Sequence, residues 1–413
     1  MYIKHKLDNG VRIVAENIKY VNSVSIGIWI KAGSRNESTD NNGITHFIEH
    51  MLFKGTKNRT AKEIAGSIDK VGGQLNAFTA KECTCYYAKV LDSHFDIALD
   101  ILTDMFFNSV FSEKEIEKEK GVVLEEIGMY EDSPEDLVHD IFTQTVWSEN
   151  SLGMPILGTE NTLKAITRED IIQYIYNNYT SDNIVISVVG NFDKEYVLNK
   201  ITKAFSNYKI LNNNKTMFHK PSFTPKYKHK EKNTEQAHLC LGFNGLELGN
   251  KHMYSLLVLN NIFGGAMSSR LFQKIREEKG LAYSVFSYPS SYTDCGILSI
   301  YAGMKPSQLD YVIELILKEI DCIKENGITE EELYDSKEQI KGNYILGLES
   351  TNGRMTSIGK SELLLDKIYS PKEIIKLIDN VTMEDINYVI DLVFKNDKMG
   401  AAVIGPNKST ILK

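Results

Sequence analysis

The stretch GITHFIEHMLFKGT, which begins at Gly43, places two histidines and a glutamate in one short apolar segment. Its spacing predicts a helix with a complete apolar stripe, and an aspartate or asparagine just before it could cap that helix. His46, Glu49 and His50 fall within an arc of roughly 100° away from the stripe. Because His46 and His50 are four residues apart, their imidazoles can converge on one metal ion. The alternatives are a solvated helix face or histidines hydrogen-bonded in the core.

A catalytic zinc site needs three protein ligands and one open position, so two histidines leave one ligand to be found. The acidic segment 115–133 predicts a helix whose apolar side includes Val123. Glu119 and Glu126 lie about 40° and 60° from Val123 around that helix, whereas Glu125 lies about 160° away. The two inward-facing carboxylates need partners. Alone they would indicate a salt-bridged helix flank, but beside the histidines they predict a third metal ligand.

Length and composition indicate a globular protein of two domains. A chain of 413 residues is too long for one ordinary core, which favours domains of about 200 residues each. The net charge of −8 argues against nucleic acid as a partner, and no apolar run reaches the length of a membrane span. The start lacks the apolar core of a signal peptide. The five cysteines lack paired zinc spacing, are expected to be reduced, and indicate a cytoplasmic location.

The order of predicted elements recurs along the chain, which indicates a weak internal duplication. Residues 21–33 and 183–192 predict strands of the first half, and strands and helices in the same order follow residue 233. A Lys- and Asn-rich stretch between the two halves is expected to be a linker. The predicted boundaries are residues 1–210 for the first domain, 211–232 for the linker and 233–413 for the second. Only the first domain carries the pair His46 and His50 with its intervening glutamate.

These features resemble the pitrilysin/insulinase family of zinc peptidases, in particular its short two-domain members. Those members include bacterial processing-peptidase-like proteins and the catalytic subunit of mitochondrial processing peptidase. In that family the His-x-x-Glu-His motif is followed some 75 residues later by a ligand glutamate, and here His50 and Glu126 are 76 residues apart. The resemblance implies that His46, His50 and Glu126 bind one Zn²⁺ per chain. It also implies that Glu49 is the general base and that Glu119 supports a ligand histidine.

Two further segments carry the resemblance. Residues 72–87 are similar to the family's substrate-side strand, in which Asn76 and Ala77 would meet the peptide backbone. Residues 268–285 are similar to the second-domain segment with a paired arginine and tyrosine, here Arg276 and Tyr283. That pair would hold substrate carbonyls or the developing oxyanion. Without the metal motif, the same residues would indicate an ordinary edge strand, a cation at a helix end and a strand tyrosine.

The expected fold is α/β, with two similar domains that are each a mostly antiparallel sheet covered by helices. By resemblance, the chain forms half of a clamshell chamber, and a homodimer completes each active site with the partner chain. The expected function is zinc-dependent endopeptidase activity on peptides or unfolded segments, without nucleic-acid or membrane partners. One alternative is a non-catalytic subunit or scaffold of the same fold. Another is a zinc hydrolase that acts on something other than peptides.

Overall fold

The computed structural model describes residues 2–208, 218–395 and 398–412. These residues form two compact units, each built around its own sheet. Unit 1 contains described residues from 1–128, 154–218 and 347–368, and unit 2 contains those from 129–153, 219–346 and 369–413. The α/β class expected from the sequence is confirmed.

The first sheet has six strands. Four of them form where alternation or an apolar run in the sequence predicts a strand. The six strands are β1 (Ile3–Lys6), β2 (Arg12–Asn17), β3 (Ser23–Ile30), β4 (Gln74–Thr79), β5 (Thr84–Leu91) and β6 (Ile184–Gly190). Their order across the sheet is β1-β2-β6-β3-β5-β4, and only β2 and β6 pair in parallel. The central strands β3 and β6 are almost wholly buried, because both faces of the sheet are covered. Strand β4 lies at the edge.

The described residues of the first half form eight α-helices. They are α1 (Ile44–Leu52), α2 (Ala61–Asp69), α3 (Phe95–Asn108), α4 (Glu113–Glu131), α5 (Pro134–Val146), α6 (Glu160–Ala165), α7 (Arg168–Asn178) and α8 (Lys194–Phe205). Pro134 occupies the first turn of α5, where its missing N–H costs nothing, and it separates α5 from α4. Helices α1, α3, α7 and α8 bury their apolar sides with strands of the first sheet in one core.

The second sheet has five strands, β7 (Tyr227–Glu231), β8 (Ala237–Asn244), β9 (Ala282–Ser291), β10 (Gly296–Met304) and β11 (Met399–Gly405). Their order is β7-β11-β8-β10-β9, again with one parallel pair, β7 and β11. This is the order of β2-β6-β3-β5-β4 in the first sheet, so the internal duplication extends to sheet topology. Strand β9 is therefore the counterpart of β4, and both are edge strands.

The helices of the second half complete the layers. They are α9 (Met253–Asn260), α10 (Leu309–Asn326), α11 (Glu330–Gly347), α12 (Thr351–Leu365), α13 (Pro371–Asp379) and α14 (Met383–Val393). Two π-helical segments, Asn261–Gly265 and Phe272–Glu277, lie between α9 and β9. Helices α9, α10 and α14 pack on the second sheet in its main core.

Each sheet is also covered by one helix from the other half of the chain. Helix α12 packs on the first sheet, where Met355 and Ile358 join Trp29 in a buried cluster. Helix α5 packs on the second sheet, where Val138 and Phe142 join the buried side chains of β8 and β11. We call α5 and α12 the exchanged helices. Each supplies the apolar cover that a sheet face needs.

The exchange makes both units discontinuous, whereas the boundaries expected from the sequence, 1–210 and 233–413, are continuous. Those boundaries assign each exchanged helix to the unit it does not pack in. The expected linker, residues 211–232, lies partly outside the described residues, and its last part forms β7, which pairs with β11. Among the described residues, no helix combines the length and the apolar character needed to cross a bilayer. The cytoplasmic location stays a prediction.

Candidate metal centre

Helix α1 is oriented by its apolar stripe. Ile44, Phe47, Ile48, Met51 and Leu52 are all buried in the core beneath the first sheet, as the sequence spacing predicts. The other side of the helix therefore presents His46, Glu49 and His50 away from the core. Helix α4 supplies the facing acids with the predicted phase, since Glu119 is buried and Glu125 is exposed.

The start of α1 differs from the expected cap. The residue at the cap position is Gly43, at φ 96°, in the left-handed region that favours glycine. A Cβ atom there would lie 2.6 Å from the carbonyl oxygen of Leu157. The carboxylate of Glu37 instead accepts hydrogen bonds from the backbone N–H groups of Gly43 and Thr45, at 2.8 and 2.9 Å. Burial raises the pKa of Glu37, and these hydrogen bonds oppose that rise.

Three potential ligand atoms converge between α1 and α4. Oε2 of Glu126 lies 3.8 Å from Nε2 of His46 and 3.6 Å from Nε2 of His50. One ligand atom from each of the three residues lies within 4.8 Å of the others. The two measured distances are too long for hydrogen bonds. They are close to the roughly 3.4 Å that separates ligands arranged tetrahedrally about 2.1 Å from a zinc ion. Two imidazole nitrogens and a carboxylate oxygen therefore fit Zn²⁺ in both chemistry and spacing.

Glu119 fixes the ring of His50. Its Oε1 lies 2.8 Å from Nδ1 of His50, and its side chain is only 2% exposed. A neutral imidazole that donates from Nδ1 turns the lone pair of Nε2 toward Glu126, which is the arrangement typical of metal-binding histidines. The ammonium group of Lys54 lies 2.6 Å from Oε2 of Glu119 and compensates its buried charge.

His46 is held in its neutral form. Burial, and then repulsion from His50, lower the pKa of His46 to about 4. Its Nδ1 is buried and has no hydrogen-bond partner among the described residues. At neutral pH the imidazole is therefore unprotonated, which is the state that can bind a metal ion.

Glu49 lies beside the three converging residues and is bound by the edge strand. Its Oε2 accepts a hydrogen bond of 2.6 Å from the hydroxyl of Thr79, at the end of β4. Burial raises the pKa of Glu49, the Thr79 hydrogen bond opposes the rise, and the nearby carboxylate of Glu126 adds to it. One carboxylate oxygen is thus fixed by Thr79, and a raised pKa suits a group that accepts a proton.

Asn76 and Ala77 lie on the same edge strand. They pair with Tyr87 and Tyr86 of β5, and β4 has no described strand on its other side. Oδ1 of Asn76 accepts a hydrogen bond of 2.8 Å from the N–H of Ala77. Strand β4 therefore carries an open backbone edge and, three residues after Asn76, the hydroxyl that contacts Glu49.

Arg276 and Tyr283 are brought together in unit 2, whereas the three converging residues belong to unit 1. The guanidinium carbon of Arg276 lies 5.0 Å from the ring centroid of Tyr283 and 4.7 Å from that of Phe272. These distances are typical of cation–π contacts. Tyr283 is 78% exposed, on the edge strand β9. Both side chains are available to a ligand.

Comparison with protein-family models identifies the chain. Residues 12–160 match the model of the insulinase family, peptidase family M16. Residues 165–340 match the model described as the peptidase M16 inactive domain. The chain belongs to peptidase family M16. The first match contains all the residues at the candidate metal centre, and the second contains Arg276 and Tyr283.

Curated relatives of similar length support this assignment. A Bacillus subtilis protein named "Uncharacterized zinc protease YmxG" is 51% identical over 407 residues, which cover 98% of this chain and 99% of the relative. A Streptomyces coelicolor protein, also named as an uncharacterized zinc protease, is 40% identical and covers 97% of this chain and 89% of its own. The resemblance to the short, two-domain form of the M16 family is therefore confirmed.

Solved structures show the same fold. A protease from Helicobacter pylori superposes with a TM-score of 0.90 at 23% identity, covering 98% of this chain and 99% of its own. A Pseudomonas fluorescens structure, titled as a peptidase M16 inactive domain, gives a TM-score of 0.92 at 17% identity, covering 100% and 99%. These likenesses confirm the two-domain M16 fold.

Three residues at this M16 site were not identified from the sequence. Lys54 lies two residues after the end of α1, and no spacing rule connects it to its partner Glu119 on α4. Thr79 is in the strand segment that also contains Asn76, but nothing in the sequence pairs it with Glu49. Glu37 lies in the loop before α1, and no sequence pattern connects it to that helix.

Proposed function

We propose that this M16 protein is a zinc-dependent endopeptidase that hydrolyses peptides or unfolded segments. The observation that carries the proposal is the convergence of His46 Nε2, His50 Nε2 and Glu126 Oε2 at distances that suit one zinc ion. The names of the relatives, which call them zinc proteases, support it. We assign these three residues as the zinc ligands and Glu119 as the partner that orients His50.

When bound, zinc would polarise a substrate carbonyl and lower the pKa of a water molecule in the fourth position. The carboxylate of Glu49 takes the proton of the attacking water and transfers it to the leaving amine. The Thr79 hydrogen bond to Oε2 holds this carboxylate in place and leaves Oε1 for the proton. The raised pKa of Glu49 helps it to retain the proton between the two steps.

Substrate backbone would bind along β4. An extended peptide can add to an open sheet edge by main-chain hydrogen bonds, which gives affinity with little dependence on sequence. Asn76 and Ala77 would contact that peptide, and the side chain of Asn76 would release the N–H of Ala77 for it. We assign Arg276 and Tyr283 to the substrate carbonyls or the developing oxyanion.

Metal content and metal dependence test the proposal directly. We expect about one zinc per purified chain, because three protein ligands define one site. A chelator should abolish cleavage of a quenched peptide library, and added zinc should restore it. Elemental analysis measures the zinc content, and fluorescence measures cleavage of the peptide library. Full peptidase activity in a preparation free of zinc and of any replacing metal would contradict the proposal.

We further propose that the protein is a homodimer that encloses a chamber, in which each active site takes Arg276 and Tyr283 from the partner chain. Mixing two inactive variants tests this arrangement. One carries Glu49→Gln, and the other carries Arg276→Ala with Tyr283→Phe. Random exchange makes half the dimers heterodimers with one intact site each, so activity should recover to about a quarter of wild type. Heterodimers verified by mass spectrometry but without activity would exclude the arrangement in trans.

A second candidate is a non-catalytic subunit or scaffold of the same fold. It is favoured by the match of residues 165–340 to a model described as an inactive domain. A zinc-loaded protein that cleaves no member of the peptide library would support this candidate. Hydrolysis of a non-peptide substrate alone would instead support a different zinc hydrolase.

A further inference from the structure

The first turn of α1 is held by a residue from outside the helix. Both oxygens of Glu37 are used, since Oε1 accepts from the N–H of Thr45 at 2.9 Å and Oε2 accepts from the N–H of Gly43 at 2.8 Å. Oε2 also accepts from the side-chain amide of Asn42 at 2.8 Å. The carboxylate is buried. The N-terminal N–H groups of a helix favour such an anion, and His46 is the next residue after Thr45.

The segment that carries Glu37 is anchored to the β4–β5 hairpin. The backbone N–H of Arg35 donates to the carbonyl of Lys81 at 2.8 Å, and its buried guanidinium pairs with Glu82 at 2.5 Å. At Gly33 a Cβ atom would lie 2.2 Å from the carbonyl oxygen of Ala80, so the two backbones approach closely. This hairpin turn directly follows Thr79, the partner of Glu49.

Glu37 therefore joins the helix of the histidines to the strand that binds the general base. We propose that Glu37 is a positioning residue for the candidate zinc centre. Its carboxylate fixes the first turn of α1 in the phase that directs His46 toward Glu126 and Glu49 toward Thr79. The inference rests on the proposed function, because it treats His46 as a zinc ligand.

The geometry makes glutamine a poor substitute at this position. Each carboxylate oxygen accepts a hydrogen bond from a backbone N–H. The amide nitrogen of a glutamine is itself a donor, so it could not accept one of these bonds. Glu37→Gln should therefore resemble Glu37→Ala rather than wild type. Glu37→Asp keeps both acceptors on a shorter side chain, and it should have an intermediate effect.

Zinc release measures this role. We expect Glu37→Gln and Glu37→Ala to release zinc about tenfold faster to a competing chelator, as the loss of an outer support of a ligand does. In zinc-saturated protein, kcat should fall with little change in KM, because the β4 edge is intact. The matched control is Thr167→Ala, which removes the side-chain cap of α7 in the same unit. That variant should lose thermal stability but keep the wild-type zinc release rate and kcat.

The outcomes separate this inference from the proposed function. If wild type binds zinc and cleaves peptides, and the Glu37 variants release zinc no faster than Thr167→Ala, only the positioning role is wrong. If wild type neither holds zinc nor cleaves peptides, the proposed function itself is wrong. Should the Gln and Ala variants fail to fold, Glu37→Asp decides. A folded Asp variant with wild-type zinc release and kcat would overturn the inference.

Discussion

The two halves of the chain share a strand order. They differ at the positions where the first half brings its ionisable side chains together. Helices α4 and α11 each begin after a hydroxyl residue that accepts a backbone hydrogen bond. Seven and fourteen residues after that cap, α4 has Glu119 and Glu126, and α11 has Ser336 and Asn343. Ser336 is buried and donates to a backbone carbonyl of α9, so a neutral hydrogen bond occupies the position of the buried carboxylate.

The contact between the first helix and the edge strand survives in both halves. Glu49 on α1 accepts from Thr79 on β4 at 2.6 Å, and Asn260 on α9 accepts from Ser287 on β9 at 2.8 Å. The geometry is kept while a carboxylate is replaced by an amide, which cannot act as a base at neutral pH. The second half therefore keeps the strand order of the M16 fold without these ionisable groups. Chemistry therefore depends on a few positions and the fold does not.

The largest expected effect comes from a change at Glu49 that makes the first half resemble the second. Glu49→Gln places an amide where Asn260 has one, and we expect kcat to fall by about 10³-fold or more because no base remains. Zinc content should stay at the wild-type level, since Glu49 is assigned no metal bond. Steady-state kinetics with elemental analysis measure both. In the counterpart, Asn260→Ala should lower stability without removing turnover. An active Glu49→Gln enzyme would end the assignment of Glu49 as the base.

A smaller but specific effect is expected on metal affinity. Glu126→Gln should weaken zinc binding by more than about 100-fold, beyond the loss expected for an outer-shell residue. Glu125→Gln, on the exposed side of the same helix, should leave the affinity unchanged. In the other half, Asn343→Ala should also have no effect on it. Competition with a chelator gives the dissociation constants. If Glu125→Gln weakened zinc binding and Glu126→Gln did not, the face of α4 that binds the metal would be the one that carries Glu125.

The smallest effect concerns the shared hydroxyl contact. Thr79→Val removes the partner of Glu49 while keeping the side-chain shape, and kcat should fall by about tenfold, as for the loss of one hydrogen bond to a charged group. Ser287→Ala removes the corresponding partner of Asn260 and should change stability alone. Kinetics and thermal unfolding of the two variants measure the contrast. Equal losses of kcat in both would mean that the contact supports the fold rather than the base.

Much of the site was predictable because it depends on local periodicity. The phase of α1 and α4 follows from the apolar residues that each helix buries, which also separated Glu119 and Glu126 from Glu125. The cap by Glu37 was not predictable, because it bridges a loop to a helix and no spacing rule describes that bridge. Thr79 was missed for a similar reason, since its partner lies on another element.

The same distinction holds for the fold. Strands β3 and β6 follow from alternation and from a continuous apolar run, and the repeated order of elements predicted two similar sheets. The exchanged helices were not predictable. The apolar side of α5 or α12 requires a sheet face to pack on, but its sequence does not indicate which of two similar faces it contacts. For this reason the sequence predicted continuous domain boundaries.

The exchanged helices constrain how the protein can be made. A ribosome adds roughly 5–20 residues per second. About 10–30 s therefore pass between the synthesis of β6 and the synthesis of α12. During that interval the face of the first sheet that carries Trp29 lacks the helix that buries it in the finished protein. The second sheet is completed later still, because its strand β11 follows α12 in the chain. A nascent chain therefore cannot release a finished peptidase domain early, and a half-length product would expose apolar surface that chaperones and degradative proteases recognise.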